Sequence, residues 1–160
     1  MTDSEFLNFS SMNELQVGAH MMIKNYPCKI IEKNVSKTGK HGSAKAHVTG
    51  KDIFTDKKYI EIFGSADKVQ VPIIMRPTYI VQFTEENQED TNFANIFVME
   101  ESQVRFLPIQ VNKNNDDDME ILNKINEILN SDSDEDCLVS VIQAIGKERI
   151  TQCATKAKTK

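Results

Sequence analysis

From Gly18 to Pro72 the chain runs as one short alternating stretch after another, with no helical period between them. Met21-Met22-Ile23-Lys24 precedes a turn expected at Asn25-Tyr26-Pro27, and Cys28-Lys29-Ile30-Ile31-Glu32-Lys33 reads as a second strand. Residues 44–48, 58–62 and 68–71 alternate likewise, punctuated at Gly50, Thr55-Asp56 and Gly64-Ser65. A period of two sends alternate side chains to opposite faces. Many short strands, closely spaced and with no helix between them, predict a small barrel.

Two prolines within Pro72–Pro77 suit an extended linker, because proline cannot donate to a ladder. A second strand set is expected at 78–83, 95–99 and 103–107, with the acidic, polar residues 85–92 as a surface hairpin loop. Ile121, Leu122, Ile125, Ile128 and Leu129 then recur at spacings of three and four, one apolar stripe of a helix. Asp116-Asp117-Asp118 is expected to cap its N-terminus. Strands are expected again from Cys137 to Ile145 and from Glu148 to Ala154. Strands, one helix and closing strands are the elements of an OB-fold. The reading is a mainly β chain: a flexible tail over 1–13, a barrel over 14–76 and an OB-like domain over 77–160, with a frayed basic C-terminus.

The net charge of −5 hides an asymmetry: residues 1–76 carry 11 basic and 8 acidic side chains, residues 77–160 carry 8 and 16. Nine lysines against three acidic residues lie between Lys24 and Lys58. The first part suits a polyanion; the second, with its 116–118 and 132–136 acidic clusters, is expected to face protein or solvent. An acidic N-terminus without a basic-then-apolar order predicts no secretory leader, and no run of some eighteen apolar residues predicts a membrane helix, so a cytoplasmic location is expected. Cys28, Cys137 and Cys153 are odd in number and form no C-x-x-C pair, which argues against a disulfide framework and a zinc site. His20, His41 and His47 show no ligand spacing, and no metal or other cofactor is expected.

The most unusual stretch is Ser36-Lys37-Thr38-Gly39-Lys40-His41-Gly42-Ser43-Ala44-Lys45, between two expected strands. Gly39 and Gly42 bracket Lys40-His41 and permit a tight turn, so the picture is a narrow hairpin with a lysine at its tip. A phosphate-cradling loop is rejected: Asn34 and His41 break the G-x-x-x-x-G-K-[ST] template, and the flanks are strands. A solvated basic hairpin and an RNA-contacting loop both fit the residues.

Pro27-Cys28-Lys29-Ile30-Ile31-Glu32, the run through Lys37-Thr38-Gly39-Lys40-His41-Gly42, Ala44-Lys45, Asp52-Ile53-Phe54-Thr55 and Lys57-Lys58-Tyr59 resemble the eukaryotic translation initiation factor five-A family, relatives of bacterial elongation factor P. The similarity runs from about Phe9 into the closing strands. It implies an N-terminal SH3-like barrel followed by a C-terminal OB-fold barrel with one helix. It also implies that Lys40 becomes hypusine: deoxyhypusine synthase adds an aminobutyl group from spermidine and a hydroxylase completes it. The partners implied are the ribosome and peptidyl-tRNA, where the factor promotes peptide-bond formation at stalling sequences such as polyproline and assists termination. Lys37, Thr38, Gly39, Lys40, His41, Gly42 and Lys45 form the implied contact loop, with Lys37 and Lys45 against RNA phosphates. Ser43 stands where the family usually has histidine, and Val35 where it has a hydroxyl residue.

No enzyme is expected, since neither a nucleophile–base pair nor paired carboxylates can be placed in a pocket. The rival reading is a general RNA-binding adaptor with unmodified Lys40, which Lys40→Arg would spare because charge is kept. His47 is expected to be structural, and whether the chain forms a homodimer stays open.

Overall fold

The computed structural model describes residues 6–37 and 44–158. The chain is mainly β, with one α-helix among the described residues. It divides into two compact units, residues 1–73 with 144–147 and residues 74–143 with 148–160.

In the first unit, strands β1 (Leu7–Ser11), β2 (His20–Ile23), β3 (Tyr26–Lys37), β4 (Ala44–Asp52), β5 (Lys58–Gly64) and β6 (Lys68–Pro72) form two antiparallel sheets. The larger, ordered β2-β3-β4-β5, curls into a half-barrel. The smaller pairs β1 with β6, Leu7 opposite Pro72 and Ser11 opposite Lys68. The flexible tail expected over 1–13 is therefore corrected from Leu7 onward. Its alternating Leu7, Phe9 and Ser11 have little strand signal alone, but β6 supplies a ladder partner far along the chain. Met12, in the 3-10 turn Met12–Glu14, is fully buried with Met21, Ile23, Cys28, Ile30, Ala46, Val48 and Val69. Lys33 Nζ donates to the carbonyls of Met12 at 3.2 Å and Leu15 at 2.7 Å, which closes that turn onto the barrel.

The turn expected at Asn25–Pro27 sits earlier. Lys24 (φ 51°) and Asn25 (φ 70°) occupy the left-handed region, the signature of a two-residue type I′ hairpin, so Tyr26 and Pro27 already belong to β3. Pro27 is tolerated near a strand start, and its carbonyl accepts from Ile53 N at 3.0 Å.

In the second unit, β7 (Thr78–Glu86), β8 (Phe93–Glu100), β9 (Gln103–Val104), β10 (Ile109–Asn112), β11 (Glu135–Ala144) and β12 (Lys147–Ala157) form one sheet, ordered β10-β8-β7-β11-β12 with β9 against β8. Strand β7 pairs with both β8 and β11, and helix α1 (Asp116–Leu129) lies between β10 and β11 along the chain, which is the OB arrangement. The strand expected over 103–107 is interrupted. Arg105 Nε donates to the Leu107 carbonyl at 2.9 Å, turning the chain before Pro108, and pairing resumes at Ile109.

Helix α1 buries Leu122 and Ile125 against Val81, Ile96, Val98, Val139 and Ile150, each such side chain contributing roughly 1.5–3 kcal/mol. Its cap is Asn115, not the aspartate run: the Asn115 side chain accepts from Asp118 N at 3.0 Å. Asp116–Asp118 fill the first turn, where the helix dipole favours them. Asp118 is buried and paired to Arg149 Nε at 3.0 Å.

Candidate functional site

The β3–β4 hairpin carries the candidate loop. Its ladder runs from Cys28 opposite Asp52 to Lys37 opposite Ala44. Thr38, Gly39, Lys40, His41 and Gly42 lie outside the described residues, so the observed frame is the paired stem on either side. At its base the buried Asp52 closes the β4–β5 connection: its carboxylate accepts from Phe54 N at 2.8 Å, and its N–H donates to the Lys57 carbonyl at 2.8 Å.

A β-bulge between Ile30 and Glu32 decides which way the stem side chains face. Before it, Cys28 and Ile30 point into the core. The extra residue reverses the parity, so Lys33, Val35 and Lys37 share the inner face with their partners Val48, Ala46 and Ala44. Asn34 and Ser36 share the outer face with His47 and Lys45. Lys37 and Lys45, both exposed, therefore leave opposite faces of the hairpin. Two cations on opposite faces suit an anionic strand that wraps the tip and not a flat patch. Every residue of β3 from Asn34 to Lys37 is exposed, including Val35 at 58%. The end of the stem thus extends past the buried core, whose last hairpin members are Ala46 and Val48.

His47, expected to be structural, is exposed, with Nε2 3.4 Å from Ser36 Oγ. The pair is a cross-strand contact on an open sheet face; a Ser–His nucleophile would also need an orienting group and a pocket. Ile60 and Ile62, 63% and 57% exposed, continue that face beside Thr49 and His47. They were missed in the sequence because alternation in Lys58–Ile62 fits inward isoleucines equally well. Among the described residues no group of three or more His, Cys, Asp or Glu is placed to hold a metal ion, and no helix is long and apolar enough to cross a membrane.

The first unit matches the family model described as translation initiation factor 5A-like, N-terminal, over residues 9–67. Over nearly the whole chain, the sequence is 35% identical across 141 residues to eukaryotic translation initiation factor 5A-1 of Caenorhabditis elegans, covering 85% of this chain and 77% of that protein. It is 38% identical across 136 residues to the Dictyostelium discoideum factor 5A, with the same coverage of 85% and 77%. Among solved structures, a translation initiation factor eif-5a family protein from Naegleria fowleri superposes with a TM-score of 0.75 at 30% identity, covering 92% of this chain and 98% of that one. The factor 5A structure from Methanococcus jannaschii gives 0.65 at 28% identity, covering 92% and 95%. Sequence identity of this extent across both units, with the same fold, places the chain in the eukaryotic translation initiation factor 5A family of translation factors.

Proposed function

We propose that the chain is a hypusine-dependent translation factor whose decisive residue is Lys40. The observation that supports the reading is the Lys37-Thr38-Gly39-Lys40-His41-Gly42 run, held between the last paired residues of an exposed hairpin in a chain of this family. The stem fits such a modification. It is a long paired ladder whose β3 strand is exposed from Asn34 to Lys37, so the run it carries projects beyond the buried core.

Deoxyhypusine synthase, with spermidine as donor, and then the hydroxylase would act on Lys40; the modification adds reach of about four carbons and a second amine for phosphate contact. The factor binds the ribosome beside peptidyl-tRNA, in the cytoplasm. Lys37 and Lys45 neutralise backbone phosphates on the two faces of the hairpin, and the Lys33 contacts to Met12 and Leu15 tie β3 to the turn below the exposed stem. Ordering the acceptor end of peptidyl-tRNA promotes peptide-bond formation by positioning, with entropic effects worth several kcal/mol in well-oriented systems. Polyproline and other stalling sequences gain most. The acidic second unit faces protein or solvent.

The test is peptide mass spectrometry of protein purified from its native cells. A mass increase of hypusine or deoxyhypusine size on Lys40, with loss of polyproline synthesis in Lys40→Arg, is the expected result. An unmodified Lys40, or full activity of Lys40→Arg, would replace this reading by that of an RNA-binding adaptor.

A further inference from the structure

Cys137 and Cys153 are separated by sixteen residues and sit on the neighbouring strands β11 and β12, with their Sγ atoms 3.4 Å apart. Both are free and buried in the second unit's core. Neighbouring antiparallel strands hold Cα atoms within the span that a disulfide bridges. Closing to a bond of about 2.05 Å needs each sulfur to move roughly 0.7 Å, within reach of a modest side-chain rotation. We propose that Cys137 and Cys153 are a redox modification site that closes to an intramolecular disulfide on exposure to a peroxide.

The two thiols divide the work. The hydrogen bond from Cys137 lowers the pKa of Cys153, with Lys124 acting in the same direction against burial. Cys137 moves up, through its hydrogen bond to Cys153 and then burial. Cys153 is therefore the one of the pair that gives up its proton more readily and attacks first. It attacks one peroxide oxygen, forming a sulfenic acid and releasing hydroxide. The Cys137 sulfur then displaces the sulfenic oxygen, and that hydroxyl leaves as water with the Cys137 proton. In total two thiols and one hydrogen peroxide give one disulfide and two waters. Access runs through β12, the end strand of the sheet order, where residues 154–157 beyond Cys153 are exposed. Terminal strands open at low cost compared with global unfolding. Cys28 is an internal control. It is buried in the first unit's core, and burial and the charge of Asp52 push its thiol up to about 11.

The experiment uses the reduced full chain, hydrogen peroxide as oxidant, and maleimide labelling after denaturation. Trypsin cuts after Lys124, Lys147, Arg149 and Lys156, so the bridge joins peptides 125–147 and 150–156. The expected result is one labelled cysteine, Cys28, a linked peptide pair lighter than the reduced pair by two hydrogens, full reversal by dithiothreitol, and a higher thermal midpoint for the oxidised form. Cys153→Ser, and separately Cys137→Ala, should abolish the linked pair and leave Cys28 labelled. Three labelled cysteines after peroxide, an intermolecular bridge, or irreversible oxidation of Cys153 in place of the bridge would overturn the proposal. Lys40 takes no part in the readout, so failure here leaves the hypusine reading untouched.

Discussion

Replacing Gly50 by alanine tests how the first barrel is packed. Gly50 lies in β4 between Ile30 of β3 and Tyr59 of β5, so neither neighbour can withdraw. A Cβ there would stand 2.5 Å from Ile23 Cδ1 and 2.8 Å from Cys28 Cβ. Carbon atoms pack at roughly 3.5–4.0 Å. Ile23 Cδ1 ends a flexible side chain and can rotate away, but Cys28 Cβ is fixed to the backbone of the paired strand. Overpacking of this kind costs about 1–3 kcal/mol, and loss of unfolded-state freedom at a glycine offsets about 0.4–1 of it; the net lies between about 0 and 2.6 kcal/mol, and in the upper half of that range because Cys28 Cβ cannot move away. The chain contains no tryptophan, so urea denaturation is followed by far-UV circular dichroism. Ile23→Val deletes Cδ1 and by itself costs about 0.5–1.5 kcal/mol. Combined with Gly50→Ala, it should cost less than the sum of the two by about 0.5 kcal/mol or more, since the deleted atom is one the new methyl meets. A strictly additive pair, or a Gly50→Ala protein as stable as its parent, would refute the argument.

In the second unit, Arg149→Met leaves the Asp118 carboxylate buried without its 3.0 Å partner, and both side chains are largely enclosed, at 13% and 8% exposure. A loss on the order of 3 kcal/mol is expected in the urea midpoint, largely recovered by adding Asp118→Asn; a double variant no better than the single would contradict this. Glu148 is pushed up by burial, but hydrogen bonds from Arg105 (2.7 and 2.8 Å) and Gln143 (2.9 Å) and the Arg105 charge leave it below the ordinary glutamate value of 4.5. A depressed carboxylate stabilises the fold above its unfolded pKa, and that stability is lost as pH falls through the folded one. Glu148→Gln should therefore lower stability at neutral pH and flatten its decline between pH 4.5 and more acid conditions. Parallel pH profiles for the parent and Glu148→Gln would remove the assignment.

Much of the fold was legible locally. The stripe from Ile121 to Leu129 emerged as α1, and alternation after Ala44 emerged as β4, because each signal is complete within a few residues. Asn115 could have been found as the cap, since it precedes the first helical residue and its amide type suits the position. It was hidden by three aspartates that satisfy the same preference. The Gln103–Leu107 strand failed for another reason. Its residues favour extension, but Arg105 is held by Glu148, 43 residues on, and hooks the Leu107 carbonyl. For the candidate site, the paired strands that flank the lysine run could be read from their alternation. The facing of Lys37 and Lys45 could not, because the bulge at Ile30/Glu32 leaves no mark in the alternation.

The sequence alone determined that this chain is built from short strands plus one helix, that its first part is basic and its second acidic, and that Lys40 lies between two strands within the stretch that matches the family. These are properties of local period, charge and motif, and they hold whatever each segment pairs with. Only the tertiary structure decided that Leu7–Ser11 is a strand, that Lys33 secures the Met12 and Leu15 carbonyls, and that Cys137 and Cys153 meet at 3.4 Å. Each of these depends on a partner sixteen or more residues away. Register and burial select that partner when the whole core closes, and no window of sequence contains both sides of the contact.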